Sequence, residues 1–302
     1  MRGFRSQTLC CVVFAIAPVV FAMPFVQSTR TTVEENLNVL RSSRDRNSLQ
    51  RAAVALANMA DPAAVLQLGE FLRRSEFLAR LDNVRSSDAK TLHLREVMAA
   101  LAAHPIPAVG ELCLTLSKDK NFLDDEDRMD SLLETLAAVT PMTKEAAEFF
   151  SRTNVDGYFA FNAPLLVKNG SPRALELFES MVRERSVDVN RRIDSIHRAV
   201  LPYRTSLPVV NSAERLLSAD LEDSVAAGLV ETIFDYKPKQ WFGPAVRSPR
   251  PPEWQSASPE ALQTVVRLGE KVSGRRFVGP DLAGVIQRTI VEVQKVLAIK
   301  AR

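Results

Sequence analysis

Six prolines punctuate an otherwise helix-forming chain at spacings that nearly repeat. Pro62, Pro105, Pro141, Pro172, Pro208 and Pro238 are separated by 43, 36, 31, 36 and 30 residues. Between them, apolar residues recur at helical spacing. Leu49, Ala53, Leu56 and Met59 form one such stripe, and so do Val65, Leu68 and Leu72. Val109, Leu112 and Leu116 form another, followed by Met129, Leu132, Leu136 and Val139, then Leu175, Phe178 and Met181. Each set marks one apolar face of an amphipathic helix. No segment holds a period of two, so the chain is expected to be all-α. Three prolines follow a residue able to cap a helix: Asp61, Thr140 and Ser171. Proline suits the first helical turn, whose N–H groups lack helical partners, and a preceding Asp, Ser or Thr accepts from those groups. Each proline is therefore expected to mark where one helix stops and its antiparallel neighbour starts.

A helix pair that recurs every 30 to 43 residues points to an α-solenoid, in which each unit buries its apolar face only against its neighbours. Four segments carry a resemblance to HEAT-like helical repeats: LQRAAVALANMADPAAVLQLGEFL (49–72), LREVMAALAAHPIPAVGELCLTL (94–116), MDSLLETLAAVTPMTKEAAEFF (129–150) and APLLVKNGSPRALELFESMV (163–182). Weaker copies span about 191–218 and 224–246. The family's usual basic residue soon after the turn is met by Arg173, with Lys144 a second candidate; Ala64 and Val65 stand there in the first copy. Tetratricopeptide repeats are a rival, but their even period and Trp, Gly and Tyr pattern are missing. The resemblance implies five or six helix pairs over residues 31–246. A proline-rich loop at 247–258 and a C-terminal helical hairpin at 259–302, packed as a cap, are expected to follow.

Residues 1–22 read as a secretory signal. Arg2 and Arg5 precede an apolar run over 9–20, and Val20, Phe21 and Ala22 resemble a cleavage site. The run falls short of the roughly 20 residues that span a bilayer. No stable membrane span is expected after cleavage, and the protein is expected to be periplasmic or secreted. Cutting after Ala22 removes two Arg and no acid, so the net charge falls from +3 to +1. A near-neutral chain has no general drive toward nucleic acid. Of the three cysteines only Cys113 lies beyond the signal, on an apolar helix face, and it is expected in the core.

Chemistry-bearing motifs are sparse. There is no phosphate-binding loop, dinucleotide fingerprint, zinc-protease motif or nucleophile elbow. Residues 152–157 have the Asn/Asp/Gly pattern of a calcium loop, but Arg152 occupies the first ligand position and Ala163 the closing one. The run Asp124, Asp125, Glu126 and Asp127 suits a solvated helix start. His93, His104 and His197 have no second ligand at metal spacing. No metal, no cofactor and no catalytic residue is assigned.

Two patterns remain as candidate binding features. Arg73, Arg74, Lys118, Arg152, Arg183, Arg185 and Arg215 fall near the ends of successive second helices. Cations suit the negative end of a helix; stacked in a solenoid they would also form a basic strip for an acidic partner. Aromatic residues cluster at Phe149, Phe150, Tyr158, Phe159 and Phe161, and again at Trp241, Phe242 and Trp254. They either pack in the core or anchor a ligand. The expected function is an exported scaffold that binds a protein partner on the concave face of a solenoid, without catalytic activity. Gln67, Glu70, Glu111, Lys144, Glu148, Arg173 and Glu176 on the second helices are candidate inner-face residues. Two alternatives come from other classes. One is a helical-toroid enzyme on cell-wall or polysaccharide material, with paired carboxylates of raised pKa in a deep cleft. The other resembles the bilin-lyase type of HEAT protein; export and the missing His/Cys set count against it.

Overall fold

The computed structural model describes residues 23–81, 92–154, 158–235 and 254–301. The expected signal at 1–22, Trp241 and most of the proline-rich loop lie outside the described residues. Sixteen α-helices and no strand occur among the described residues. They are α1 (Met23–Ser42), α2 (Arg46–Asn58), α3 (Pro62–Leu72), α4 (Ser75–Leu81), α5 (Leu92–Ala103), α6 (Pro107–Leu116), α7 (Lys120–Leu123) and α8 (Glu126–Ala138). There follow α9 (Lys144–Thr153), α10 (Phe159–Asn169), α11 (Pro172–Arg183), α12 (Val189–Val200), α13 (Leu207–Ser218), α14 (Asp223–Ile233), α15 (Pro259–Val272) and α16 (Pro280–Lys300).

Local chemistry sets several of the boundaries. Asp61 accepts hydrogen bonds from the N–H groups of Ala63 (2.7 Å) and Ala64 (3.3 Å), with Pro62 in the first turn of α3. Ser258 accepts from Ala261 N–H at 3.2 Å ahead of Pro259. Two expected starts differ. Pro141 does not begin a helix; Thr143 caps α9, accepting from Ala146 N–H. Pro107, not Pro105, opens α6. Ser171 precedes α11 but caps nothing, because its hydroxyl donates to Asn169 Oδ1 (2.6 Å) and accepts from Met142 N–H (3.2 Å).

The helices pack in two rows. In one, α2, α5, α8, α10, α12 and α14 each lie against the next. In the other, α3, α6, α9, α11, α13 and α15 do the same, α1 packs on α2 and α3, and α16 packs on α15. One apolar core runs through the whole, from Leu37 to Val296. Small residues let neighbours approach closely. A Cβ on Gly69 of α3 would stand 2.6 Å from Leu112 Cδ1 of α6. One on Gly228 of α14 would stand 2.9 Å from Ile193 Cγ2 of α12.

Polar side chains also link some of the neighbouring helices. Asn169 donates to the carbonyls of Ala137 (2.7 Å) and Val139 (2.9 Å), satisfying acceptors at the end of α8. Arg173 donates to Met142 O at 3.0 Å. Arg192, 2% exposed, donates to Val187 O (3.1 Å) and Val182 O (3.3 Å) and pairs with Glu222, the N-cap of α14. Cys113 is fully buried, and burial pushes its thiol up to about 12; the neutral thiol belongs to the core.

Candidate functional site

An open groove of about 890 Å³ runs across the first row. Its acidic side is α8. Asp125 caps that helix, accepting from Arg128 N–H at 3.1 Å, so the run of acids does form a helix start. The same face then continues. Glu126, Asp130 and Glu134, spaced four residues apart, all line the groove, because residues i, i+4 and i+8 share one side of a helix.

The opposite wall comes from Tyr158, the N-cap of α10, and from Phe161, Pro164 and Leu165 on that helix. Tyr158 and Phe161 meet edge to face, 6.2 Å between centroids, and both are half-buried. Leu123, 45% exposed and one of four large exposed apolar side chains among the described residues, also lines the groove. Pro164 has no N–H, so it cannot bond the carbonyl of Ala160 one turn earlier; both residues line the groove. Arg198 of α12 is the one cation in the lining, and Asp194 holds it at 2.9 Å.

The groove is therefore rich in acceptors and short of positive charge. Neither Glu126 nor Asp130 has an ion-pair partner among the described residues, and Glu134 meets Arg95 only at 3.9 Å. Burial raises the Asp130 carboxyl to about 6, and the charges of Glu126, Glu134 and Asp127 add to the rise, while Arg95 opposes it. Burial also raises the Tyr158 hydroxyl, helped by Asp130, Glu126 and Asp125. No group of three or more His, Cys, Asp or Glu among the described residues is placed to hold a metal ion; the carboxylates stand along the helix rather than around a point.

Asp130 makes stability depend on pH. Its carboxyl holds a proton more tightly in the folded chain than in the unfolded one, so the ionised form is penalised above about pH 6. The penalty fades as pH falls toward 4. Asp130→Asn is expected to stabilise the fold at pH 7.5 by about 1 kcal/mol, after allowance for solvent screening of a half-buried group, and to change little at pH 4. Urea unfolding of both proteins at the two pH values measures this. Equal differences at both would overturn it.

The basic residues expected from the sequence stand at the C-terminal ends of five helices that pack in succession. Arg73 is the C-cap of α3, Lys118 follows α6, and Arg152, Arg183 and Arg215 lie in the last turns of α9, α11 and α13. Their charge is partly spent inside the protein. Glu179, buried in α11, accepts from Arg215 Nη2 at 2.6 Å and from Arg183 at 3.3 Å. Arg74 lies 5.1 Å from the Phe71 ring and Arg152 5.9 Å from that of Phe149. Arg185 pairs with Asp220 at 3.0 Å. Of the aromatic cluster, Phe149, Phe150 and Phe159 are core residues, and Tyr158 and Phe161 reach the groove. Trp254 is 2% exposed and packs in the core, so it presents no surface anchor. The polar residues expected on the second helices, among them Gln67, Glu70, Glu111 and Glu176, are exposed but line neither this groove nor the shallow hollow on α16. Comparison with known proteins finds no family model, no curated protein and no solved structure that matches the chain.

Proposed function

We propose that the chain is a HEAT-like α-solenoid, exported by its N-terminal signal, that serves as a docking scaffold for a protein partner. Two ordered rows of helices around one core support the solenoid reading. The first row is the more closely packed, which suits the inner side of a curved stack and favours an inner face on the first helices rather than on the second helices expected from the sequence. The observation that carries the docking reading is the groove itself. It crosses α8, α10 and α12, is open, and combines a half-buried apolar wall with three acids, of which only Glu134 meets a cation among the described residues, Arg95 at 3.9 Å. An open trough across several helices fits a length of polypeptide better than a small ligand, which pockets usually enclose.

The test is site-specific photocrosslinking in the native cell, with a photoreactive residue at Phe161 in the groove or at Leu66. Leu66 is 57% exposed on α3, in the other row. A discrete protein adduct from position 161 and none from position 66 is expected. Equal labelling at both, or none at either, would overturn the reading.

One observation favours a hydrolase with paired carboxylates instead. Asp130 keeps its proton nearer to neutrality than an ordinary carboxyl, beside Glu126 and Glu134, as a general acid beside a base would. Polysaccharide turnover lost in both Asp130→Asn and Glu126→Gln would establish that reading.

A further inference from the structure

Resting on the docking reading, we infer that the groove takes an extended segment of the partner that carries lysine or arginine at alternate positions. Spacing makes the argument. Glu126, Asp130 and Glu134 rise along α8 by about 6 Å per step. In an extended peptide, side chains on one face repeat every ~6.7 Å. Three carboxylates on a helix thus meet three alternating basic residues nearly in register. The turn of about 40° between successive carboxylates lies within the reach of a lysine stem.

The opposite wall supplies what such a segment also needs. Tyr158 and Phe161 offer ring faces and edges to cationic side chains or to their aliphatic stems. Ala160 lines the same wall, and Pro164 supplies no helical N–H to its carbonyl. Apart from Tyr158 and the engaged Arg198, every polar side chain in the lining is a carboxylate, so an anionic segment meets like charge. Leu123, exposed in the lining, gives an apolar residue of the segment a place to rest. The same chemistry would hold a free polyamine, but three carboxylates along about 12 Å of one side, facing an apolar wall, match a chain with two chemically different faces.

The experiment uses the full chain and three labelled peptides of equal length, read by fluorescence anisotropy. Three lysines alternate with serines in one and are contiguous in the second; the third has the alternating order with glutamate for lysine. The alternating lysine peptide is expected to bind about tenfold tighter than the contiguous one. Its binding should weaken between 50 and 300 mM salt, about in line with the screening of exposed charges. The glutamate peptide should not bind. Glu126→Gln with Asp130→Asn and Glu134→Gln should remove about tenfold of affinity, and Phe161→Ala is the second variant should the triple fail to fold. Equal binding of the two lysine peptides, salt-insensitive binding, or displacement by spermine at concentrations matching the peptide's own affinity would overturn the inference. If crosslinks from position 161 persist undiminished in the triple variant, docking stands and the cationic occupant falls. If no crosslinks form at all, docking itself falls.

Discussion

Arg192→Ala is expected to destabilise the protein by about 3 kcal/mol, with Glu222→Gln costing under about 1 kcal/mol. The difference follows from what each change leaves behind. Arg192 is 2% exposed and lies where α11, α12 and α14 meet. Removing its guanidinium strips the donors from Val182 O and Val187 O and opens a void the size of a long side chain. Glu222 is 36% exposed, so water can take over from Glu222→Gln, and the neutral amide still accepts from Arg192. For a chain of this size 3 kcal/mol corresponds to a fall in Tm of about 5 °C, measured by calorimetry or by circular dichroism. Equal losses from the two changes would mean that the ion pair, not the buried carbonyls, supplies the stability. A Tm within 2 °C of the parent for Arg192→Ala would remove the role altogether.

Helix content was legible because the property that buries a residue also sets its spacing. Leu49, Ala53 and Leu56 recur at helical intervals in the sequence and are fully buried in α2. Cap chemistry was legible where the cap had no competitor. Asp61 and Ser258 behave as their neighbours dictate, whereas the Ser171 hydroxyl is claimed by Asn169, two residues back, and by Met142 from the preceding unit. That second contact spans 29 residues, and nothing local announces it. The short helices α4 and α7 have too few turns to show a period. The groove was half legible. Glu126, Asp130 and Glu134 form a plain i, i+4, i+8 series that could have been found, but the adjacent acids at 124–127 are denser and draw the eye to the helix start. The facing wall was hidden, because Phe159 and Phe161 look alike in sequence, yet one is core and the other lines the groove. The basic ladder shows the converse. Its residues fall at helix ends as the spacing implies, while the buried Glu179 that draws two of them inward lies in mid-helix with no distinguishing pattern.

The close approach of successive helices can be tested by a double-mutant cycle at Gly228 and Ile193. A leucine at 228 begins with a Cβ that would stand 2.9 Å from Ile193 Cγ2 and 3.1 Å from its Cγ1. Ile193 is β-branched and stiff about χ1, so it cannot swing its methyls clear as a flexible chain tip would. Gly228→Leu is therefore expected to cost about 2–3 kcal/mol, although leucine is the better helix former. Ile193→Ala alone should cost about 1–2 kcal/mol, because this side chain is only half-buried. Combined, the two changes should recover about 1.5 kcal/mol relative to their sum, since the truncated residue vacates the space the leucine needs. Urea unfolding of the four proteins gives the coupling directly. Strict additivity would mean that α12 and α14 do not face each other through these residues, and the ordered first row that carries the groove would lose its support. Recovery would tie the groove's geometry to the packing of helices some 30 residues apart in sequence, since α12, which Gly228 allows to lie close against α14, also supplies Arg198 to the groove and packs against the helix bearing its aromatic wall.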